Sequence, residues 1–257
     1  MKNVKAMIKI TTVIVGTLLI YLFYALTAFV LVLFRRNHIH WKNRCLRFWG
    51  AFAAAAFSVQ IETEGNRPEP PFFIVSNHLS YIDIIVYYAT LNTTFVSKAE
   101  VKEWPILGII ARTIGVLFIN REKRSDVVRV NEQISREFNR GHGILLFPEG
   151  TTSAGTTLLP FRPSLLEIPA THDIPVCYSV LRYRLQGKGP DSQELVAWYG
   201  DARLDKHMFR LAREKNIIAT IRFSNEAVHK RDRKELAATL HDAMMQLHHG
   251  SQSTPTA

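Results

Sequence analysis

The chain has 257 residues, 47% of them hydrophobic, and a formal net charge of +10. This length fits one domain of ordinary size with additions, and the apolar fraction is sufficient for a buried core, so the protein is predicted to be globular. The two cysteines, Cys45 and Cys177, lie far apart without the spacing of metal ligands. They argue against a disulfide framework or a zinc site and favour a reducing, cytosol-facing location. The positive charge favours acidic partners: anionic lipids, phosphorylated substrates, an acidic carrier protein or nucleic acid.

The first predicted element is an apolar segment, residues 10–34, that contains no charged side chain. As a helix it extends over roughly 37 Å, more than the ~30 Å hydrocarbon core of a bilayer, so it is predicted to be a membrane segment. A cleaved signal peptide is the alternative, but its apolar region is shorter, about 7 to 15 residues. Basic residues flank the segment: Lys2, Lys5 and Lys9 before it, and Arg35, Arg36, Lys42, Arg44 and Arg47 after it. The larger cluster follows the segment, which by the positive-inside rule predicts a cytoplasmic body, whereas the three lysines before the segment favour the opposite orientation.

A second apolar stretch, residues 48–59, is too short to span a bilayer. It is predicted to form an interfacial or re-entrant helix that pairs with the first one in a single leaflet, or else a core helix of the following domain. Pro68, Pro70 and Pro71 then mark a boundary. The predicted organisation is membrane-anchoring helices over residues 1–62, a globular catalytic domain over 63–249 and a disordered polar tail over 250–257.

Beyond this boundary, strand-like and helix-like patterns alternate. Predicted strands cover residues 72–75, 94–96, 116–119, 144–147, 176–181, 195–199 and 217–223. Predicted helices cover residues 82–91, 104–114, 125–140, 208–214 and 233–248. This order predicts an α/β fold with a mixed sheet flanked by helices and with functional sites at the carboxyl ends of strands.

His78 and Asp83 follow the first of these strands and precede a helix. A histidine at a strand end can act as a general base near neutral pH if a second group, here Asp83, fixes its tautomer and stabilises its cation. The alternative is structural: Ser80 and Asp83 have the spacing of a capping box, which satisfies free N–H groups at a helix start. On that interpretation His78 is an ordinary loop histidine.

Three further short runs come directly after, or at the start of, predicted strands. They are Asn120 and Arg121; Pro148, Glu149, Gly150 and Thr151; and Ile174, Pro175 and Val176. Arg121 is placed for a phosphate at the sheet edge, although an arginine on a solvated loop has the same pattern. Glu149 lies in a tight turn that presents a carboxylate and hydroxyls, and Pro175 opens an apolar strand. Each of these runs is common by itself.

Taken in this order and behind a membrane segment, the His78 and Asp83 pair and these three runs resemble the four motifs of the glycerolipid acyltransferases. The most similar subgroup is the bacterial 1-acylglycerol-3-phosphate (lysophosphatidic acid) O-acyltransferases, and the resemblance covers about residues 70–225. It implies transfer of a fatty acyl group from acyl-CoA or acyl-acyl carrier protein to the free hydroxyl of a lysolipid, with phosphatidic acid as the product. These donors are co-substrates, and the resemblance implies neither a cofactor nor a metal.

The resemblance also implies roles for single residues. His78 is expected to take the proton of the lysolipid hydroxyl, with Asp83 supporting the imidazole, so that no cysteine nucleophile is needed. The acceptor-binding residues are expected to be Arg121, Glu149, Gly150 and Thr151, with Lys98 and Arg162 as extra basic residues facing the headgroup. The acyl-donor region is expected to contain Ile174, Pro175 and Val176.

Two positions depart from the pattern. Thr152 stands where many lysophosphatidic acid acyltransferases have an arginine, and Asn120 stands where an acidic residue is often found. Lyso-ornithine lipid and lysophospholipids with larger headgroups therefore stay open as acceptors. The expected partners are the membrane bilayer, the lysolipid and acyl-CoA or an acidic carrier protein, and not nucleic acid. The expected location is the bacterial cytoplasmic membrane, with the catalytic domain facing the cytoplasm.

Two other classes compete with this assignment. A membrane-bound, metal-dependent hydrolase could use His78, Asp83 and Glu149 as ligands, although no second histidine lies at metal-binding spacing near His78. A non-enzymatic lipid-surface protein needs the basic flanks and the helices, but not the histidine and aspartate.

Overall fold

Helices and strands alternate along most of the chain, in a computed structural model that describes residues 2–120 and 124–250. The helices are α1 (Lys2–Leu33), α2 (Ile39–Ala56), α3 (Ile82–Thr90), α4 (Leu107–Thr113), α5 (Arg124–Asn139), α6 (Glu167–Thr171), α7 (Leu204–Ala212) and α8 (Arg233–Gly250). The strands are β1 (Val59–Glu64), β2 (Phe72–Ser76), β3 (Thr93–Lys98), β4 (Leu117–Ile119), β5 (Gly143–Leu146), β6 (Val176–Leu185) and β7 (Ile217–Phe223). Short 3₁₀ helices cover Ala99–Glu103, Pro163–Leu166 and Pro190–Leu195.

The strands form a seven-stranded sheet in the order β1-β7-β6-β2-β5-β3-β4. Strand β2 runs parallel to β5 and β6, and β3 runs parallel to β5 and β4. Every residue of β2 is buried, which is typical of a parallel strand covered on both faces. The predicted mixed α/β class is therefore confirmed. Because the strands are parallel, the carboxyl ends of β2, β5, β3 and β4 lie at the same edge of the sheet.

The chain divides into two compact units, with breaks after residues 62, 78, 92, 181 and 220. The first unit contains α1, α2, α3 and α7, and the second contains β2 to β5, α4 to α6 and α8. The remaining strands, β1, β6 and β7, contribute residues to both. The division into anchoring helices and a catalytic domain at residue 62 stays a prediction.

In the first unit, α1 and α2 are joined by hydrogen bonds between their side chains. The indole N–H of Trp41 donates to Thr27 Oγ1 over 2.7 Å, and that of Trp49 donates to Thr17 Oγ1 over 2.9 Å. Helix α2 also approaches α3 closely at Gly50. By length and composition, α1 is long and apolar enough to cross a membrane, the one such helix in the described part of the chain.

The core of the second unit lies between the sheet and the helices that cover it. Phe73 and Ile144 from β2 and β5 are fully buried there, together with Val130 of α5 and Leu240 of α8. These helices present apolar residues to the sheet at helical spacing, and burial of that face is what holds the strand ends in register.

Four sequence predictions of structure need correction or completion. Residues 195–199 are not a strand: they follow the 3₁₀ helix Pro190–Leu195, because a short apolar run can be buried without pairing in a sheet. Strand β1 was not predicted. The helix predicted over 104–114 is shorter: it is α4 (Leu107–Thr113), and the 3₁₀ helix Ala99–Glu103 precedes it. Helix α8 continues to Gly250, and the rest of the predicted tail lies outside the described residues.

Candidate active site

The carboxyl ends of β2 and β5 bring His78 and Glu149 together. The N–H of His78 donates to Glu149 Oε1 over 3.0 Å, and the carbonyl of His78 accepts the N–H of Ser153 over 2.9 Å. The imidazole stacks on Phe147, with ring centroids 4.0 Å apart and an interplanar angle of 8°. The backbone and the ring plane of His78 are therefore both fixed, and its side chain stays partly exposed.

Glu149 holds this arrangement from a buried position. Its carboxylate is 3% exposed, and its second oxygen, Oε2, accepts the N–H of Leu159 over 3.1 Å. The turn that carries it is closed by the N–H of Gly150, which donates to the carbonyl of Phe147, with Pro148 in the favoured second position. Gly150 has a φ of +76°, a region that favours glycine. A buried carboxylate is stable only if donors compensate its lost hydration, and backbone N–H groups supply them here.

Asn77 fixes the end of β2 against β6. Its side-chain Nδ2 donates to the carbonyl of Leu181 over 2.9 Å, and its Oδ1 accepts the N–H of the same residue over 2.7 Å. The side chain is buried, and directly before His78 both polar atoms of its amide bind the backbone of Leu181. Sequence reasoning missed this role, because nothing local distinguishes such an amide from one on a loop.

In the first unit, Asp83 is fully buried at the start of α3. Its Oδ2 accepts the N–H groups of Leu79 and Ser80 over 2.7 and 3.0 Å, and its Oδ1 accepts the O–H of Tyr183 over 2.8 Å. The bond from Ser80 is one half of the capping box considered as the structural alternative. Burial, reinforced by Asp83, raises the pKa of Tyr183 well above its usual range, so its phenol stays a donor. Tyr183 was also missed, because it lies 100 positions away in sequence.

Most of the predicted acceptor-binding residues lie near the same strand ends. Lys98 is the last residue of β3, opposite Ile119 at the end of β4, and its side chain is exposed. Arg162 is exposed, and its N–H donates to the carbonyl of Pro148 in the Glu149 turn. Thr151 is exposed directly after Gly150. Arg121 lies outside the described residues.

The predicted acyl-donor residues lie elsewhere on the sheet. Val176, the first residue of β6, stands opposite Phe73 near the start of β2. His78 follows the opposite end of β2, and Ser76 at that end is already three residues, or about 10 Å, further along the strand. Ile174 and Val176 are buried, and Pro175 is exposed. The structure does not bring this run beside the imidazole, and its donor role stays a prediction.

Over residues 2–120 and 124–250, no group of three or more His, Cys, Asp or Glu side chains could hold a metal ion. Cys177 is partly buried, and burial raises the pKa of its thiol, which disfavours the reactive thiolate. The imidazole of His78, fixed by its backbone at the end of a parallel strand, has chemistry suited to a general base.

Comparisons with known proteins identify relatives among the acyltransferases. The family model described as Acyltransferase matches residues 58–179. A lyso-ornithine lipid O-acyltransferase of Brucella abortus is 32% identical over 80% of this chain and 82% of that relative. A second one, of Pseudomonas aeruginosa, is 36% identical over 67% of this chain and 65% of its own length. A 1-acyl-sn-glycerol-3-phosphate acyltransferase of Neisseria gonorrhoeae is 34% identical over 55% of this chain and 56% of that protein.

A solved structure has the same fold. The crystal structure of the 1-acyl-sn-glycerophosphate (LPA) acyltransferase, PlsC, from Thermotoga maritima matches with a TM-score of 0.58 at 19% identity, over 95% of this chain and 100% of that one. The chain belongs to the glycerolipid acyltransferase family. It is an O-acyltransferase that acts on lysolipids, and its apolar helix α1 indicates membrane association.

Proposed function

We propose that His78 is the general base of direct acyl transfer. Its imidazole takes the proton of the lysolipid hydroxyl while the hydroxyl oxygen attacks the carbonyl carbon of an acyl thioester. The carbon–sulfur bond then breaks and the leaving thiolate takes the proton from the imidazolium, so that the ester, the free thiol carrier and the neutral imidazole remain. Asp83, five residues after His78, supports the imidazolium. The observation that carries the proposal is the fixed backbone and ring plane of His78 at a strand end.

The proposed acceptor is lyso-ornithine lipid. The similarity to the Brucella abortus protein extends over 80% of this chain, whereas that to the Neisseria gonorrhoeae protein extends over 55%. Thr152 supports the same choice, because a phosphate monoester needs cations around it and no guanidinium stands at this position. An ornithine headgroup is zwitterionic, with a carboxylate and an amine of its own, and therefore has less need of an additional cation there than a phosphate monoester has.

1-Acylglycerol-3-phosphate, the acceptor predicted from the sequence, is the second candidate. Lys98 and Arg162 favour it, because both are exposed near the strand ends and could bind a phosphate. For either acceptor, the proposed donor is acyl-CoA or an acidic acyl carrier protein, attracted by the net charge of +10. The proposed setting is the cytoplasmic face of the bacterial inner membrane, where lysolipid and donor are both available.

A panel of acceptors tests this proposal. The full-length chain, purified in neutral detergent, is incubated with labelled acyl-CoA and either lyso-ornithine lipid, 1-acylglycerol-3-phosphate or a lysophospholipid with a larger headgroup. We expect labelled product chiefly from lyso-ornithine lipid, with and without a chelator. Preference for 1-acylglycerol-3-phosphate would reverse the choice of acceptor. Release of free fatty acid in a metal-dependent reaction would instead support the hydrolase alternative and overturn acyl transfer.

A further inference from the structure

Four large apolar side chains are exposed together in the second unit, between β3 and β4. Trp104, Ile106, Leu107 and Ile109 are 39%, 56%, 49% and 53% exposed; together they form the apolar tip. The tip follows the carboxyl end of β3, the edge of the sheet at which His78 and Glu149 also lie. Nothing in the reaction proposed above uses these residues. A cluster of this kind on a surface marks an interaction site.

The exposure of the tip is built into the backbone. Leu107 donates its N–H to the carbonyl of Pro105 over 2.6 Å, which closes a γ-turn around Ile106. Ile106 there has φ and ψ of 61° and −57°, a strained conformation for a β-branched residue. The N–H of Gly108 donates to the carbonyl of Trp104 over 2.9 Å. The turn therefore holds an exposed isoleucine in a conformation that costs free energy.

Close packing at Gly108 keeps the tip in place. A Cβ at this position would lie 2.2 Å from the carbonyl oxygen of Lys102, so the start of α4 rests directly on the 3₁₀ helix Ala99–Glu103. The backbone on both sides of the tip is thus held by local contacts. The apolar side chains are presented as a preformed group.

Cationic side chains lie beside the apolar tip. Lys102 and Glu103 come directly before the tip, and Arg112 lies one turn after Ile109 on α4. These three residues line a cavity of about 600 Å³ together with Arg129, Arg136, Arg140 and Glu137. The guanidinium groups of Arg112 and Arg136 donate to backbone carbonyls of their own helices, which leaves their charge in place. Glu137 pairs with Arg140. Five cations against two carboxylates make this wall positive, and Lys102 and Arg112 connect it to the segment that carries the tip.

We infer that the apolar tip inserts into the lipid surface of an anionic membrane, with the adjoining cations at the level of the headgroups. Tryptophan is favoured at the boundary between headgroups and acyl chains, and lysine and arginine are attracted to anionic lipids. Apolar side chains followed by cations match the acyl chains and the anionic headgroups of such a membrane. The contact gives the second unit a membrane attachment of its own, separate from α1, at the edge of the sheet that carries His78.

Depth measurements on the full-length chain test this inference without requiring activity. Cys45→Ser and Cys177→Ala remove the native thiols, and Ile106→Cys provides one site for an environment-sensitive NBD label. Asn225→Cys is the matched control, because it is exposed and follows β7, which three strands separate from β3. Each labelled protein is reconstituted in nanodiscs of phosphatidylcholine alone or mixed with phosphatidylglycerol, and doxyl-labelled lipids serve as quenchers.

We expect blue-shifted emission and strong quenching at position 106 in the anionic nanodiscs, and neither at position 225. The double variant Lys102→Glu/Arg112→Glu, labelled at 106, should lose most of this quenching. Equal behaviour of positions 106 and 225 would overturn the inference. Equal quenching at 106 in neutral and anionic nanodiscs, unaffected by the charge reversal, would overturn the assignment to an anionic surface. Disulfide cross-linking between two unlabelled Ile106→Cys chains, without lipid quenching of the labelled protein, would show that the tip contacts a second copy of the chain instead of a membrane.

Discussion

Two buried carboxylates accept the N–H groups of three consecutive residues around the predicted general base. Glu149 accepts the N–H of His78, and Asp83 accepts those of Leu79 and Ser80. The chain at this point has no regular partner for these N–H groups, because β2 has ended and α3 has not begun. The carboxylates take the place of secondary structure and thereby fix the backbone where the imidazole is needed.

Glu149→Gln tests whether this residue positions His78 or binds the acceptor. The amide has one accepting oxygen instead of two and brings its NH2 group toward a backbone donor, so we expect the free energy of unfolding to fall by about 1–3 kcal/mol. If the residue is a positioning residue, kcat falls while the KM for the acceptor changes little. Steady-state kinetics in detergent, with Glu226→Gln as an exposed control, separate the two roles. A raised KM at unchanged kcat would support acceptor binding by Glu149 instead.

Tyr183→Phe removes the phenol that donates to Asp83 Oδ1. Hydrogen bonds to charged groups contribute about 1.5–3 kcal/mol, and the buried carboxylate keeps its charge without this donor, so we expect a loss of stability of that order. Tyr199→Phe is the control, because the Tyr199 hydroxyl donates to Glu194 at an exposed position and its loss should cost much less. Denaturant unfolding in detergent measures both. Equal effects of the two variants would show that the Tyr183 bond is not important for stability.

His207 should make the protein less stable in mild acid. Burial, and next the charge of Arg210, lower its pKa below the usual 6.5, and its Nδ1 lies 3.2 Å from the hydroxyl of Tyr81. Below pH 6.5 the unfolded chain therefore binds a proton that the folded chain resists, so stability falls as the pH decreases toward the folded-state pKa. His207→Asn should flatten the dependence of Tm on pH between about pH 5 and 7. An unchanged slope in this variant would assign the acid sensitivity to other groups.

At the scale of elements, the packing of helix α2 is what the structure adds to the sequence. The sequence left open whether it dips into a leaflet beside α1 or packs as a core helix, and the structure shows contacts with both α1 and α3. The contact with α3 depends on Gly50. A Cβ there would lie 2.4 Å from the backbone nitrogen of Ala89, a distance that side-chain movement cannot relieve.

Gly50→Ala should therefore force α2 away from α3. Overpacking of this kind typically costs about 1–3 kcal/mol, and we expect a corresponding loss of the free energy of unfolding. Gly189→Ala is the matched control: it has a φ of −63° and no atoms within 4 Å of the position that an added methyl group would take, so it should be neutral or slightly stabilising. Chemical unfolding in the same detergent compares the two. A neutral Gly50→Ala would contradict the close approach of these helices.

The strands around the site could be predicted because each is a short buried run bounded by turn residues, as in β2 and β5. Their order could not. The insertion of β5 between β2 and β3 depends on contacts between segments about 50 to 70 positions apart, and hydrophobic pattern has no information about such pairing. The strand predicted over residues 195–199 was wrong for a related reason, since an apolar run of that length can be a strand or a buried turn.

For the whole molecule, the family resemblance predicted roles for His78, Asp83 and Glu149 before any contact was known. What it could not provide was the direction in which each carboxylate points. Sequence cannot distinguish a carboxylate that faces a substrate from one that accepts backbone N–H groups. Asn77 and Tyr183, whose partners lie about 100 positions away, have no local signal at all.

The central claim is that a fixed imidazole at the end of β2 performs acyl transfer to a lysolipid. The most direct measurement is the rate of transfer from labelled acyl-CoA to lysolipid by purified wild type, His78→Ala and His172→Ala, an exposed histidine outside the site. General base catalysis contributes about 10²–10⁴-fold, so we expect His78→Ala to lose activity by that factor while its fold and Tm are retained. His172→Ala should remain fully active. Undiminished transfer by a correctly folded His78→Ala would contradict the account.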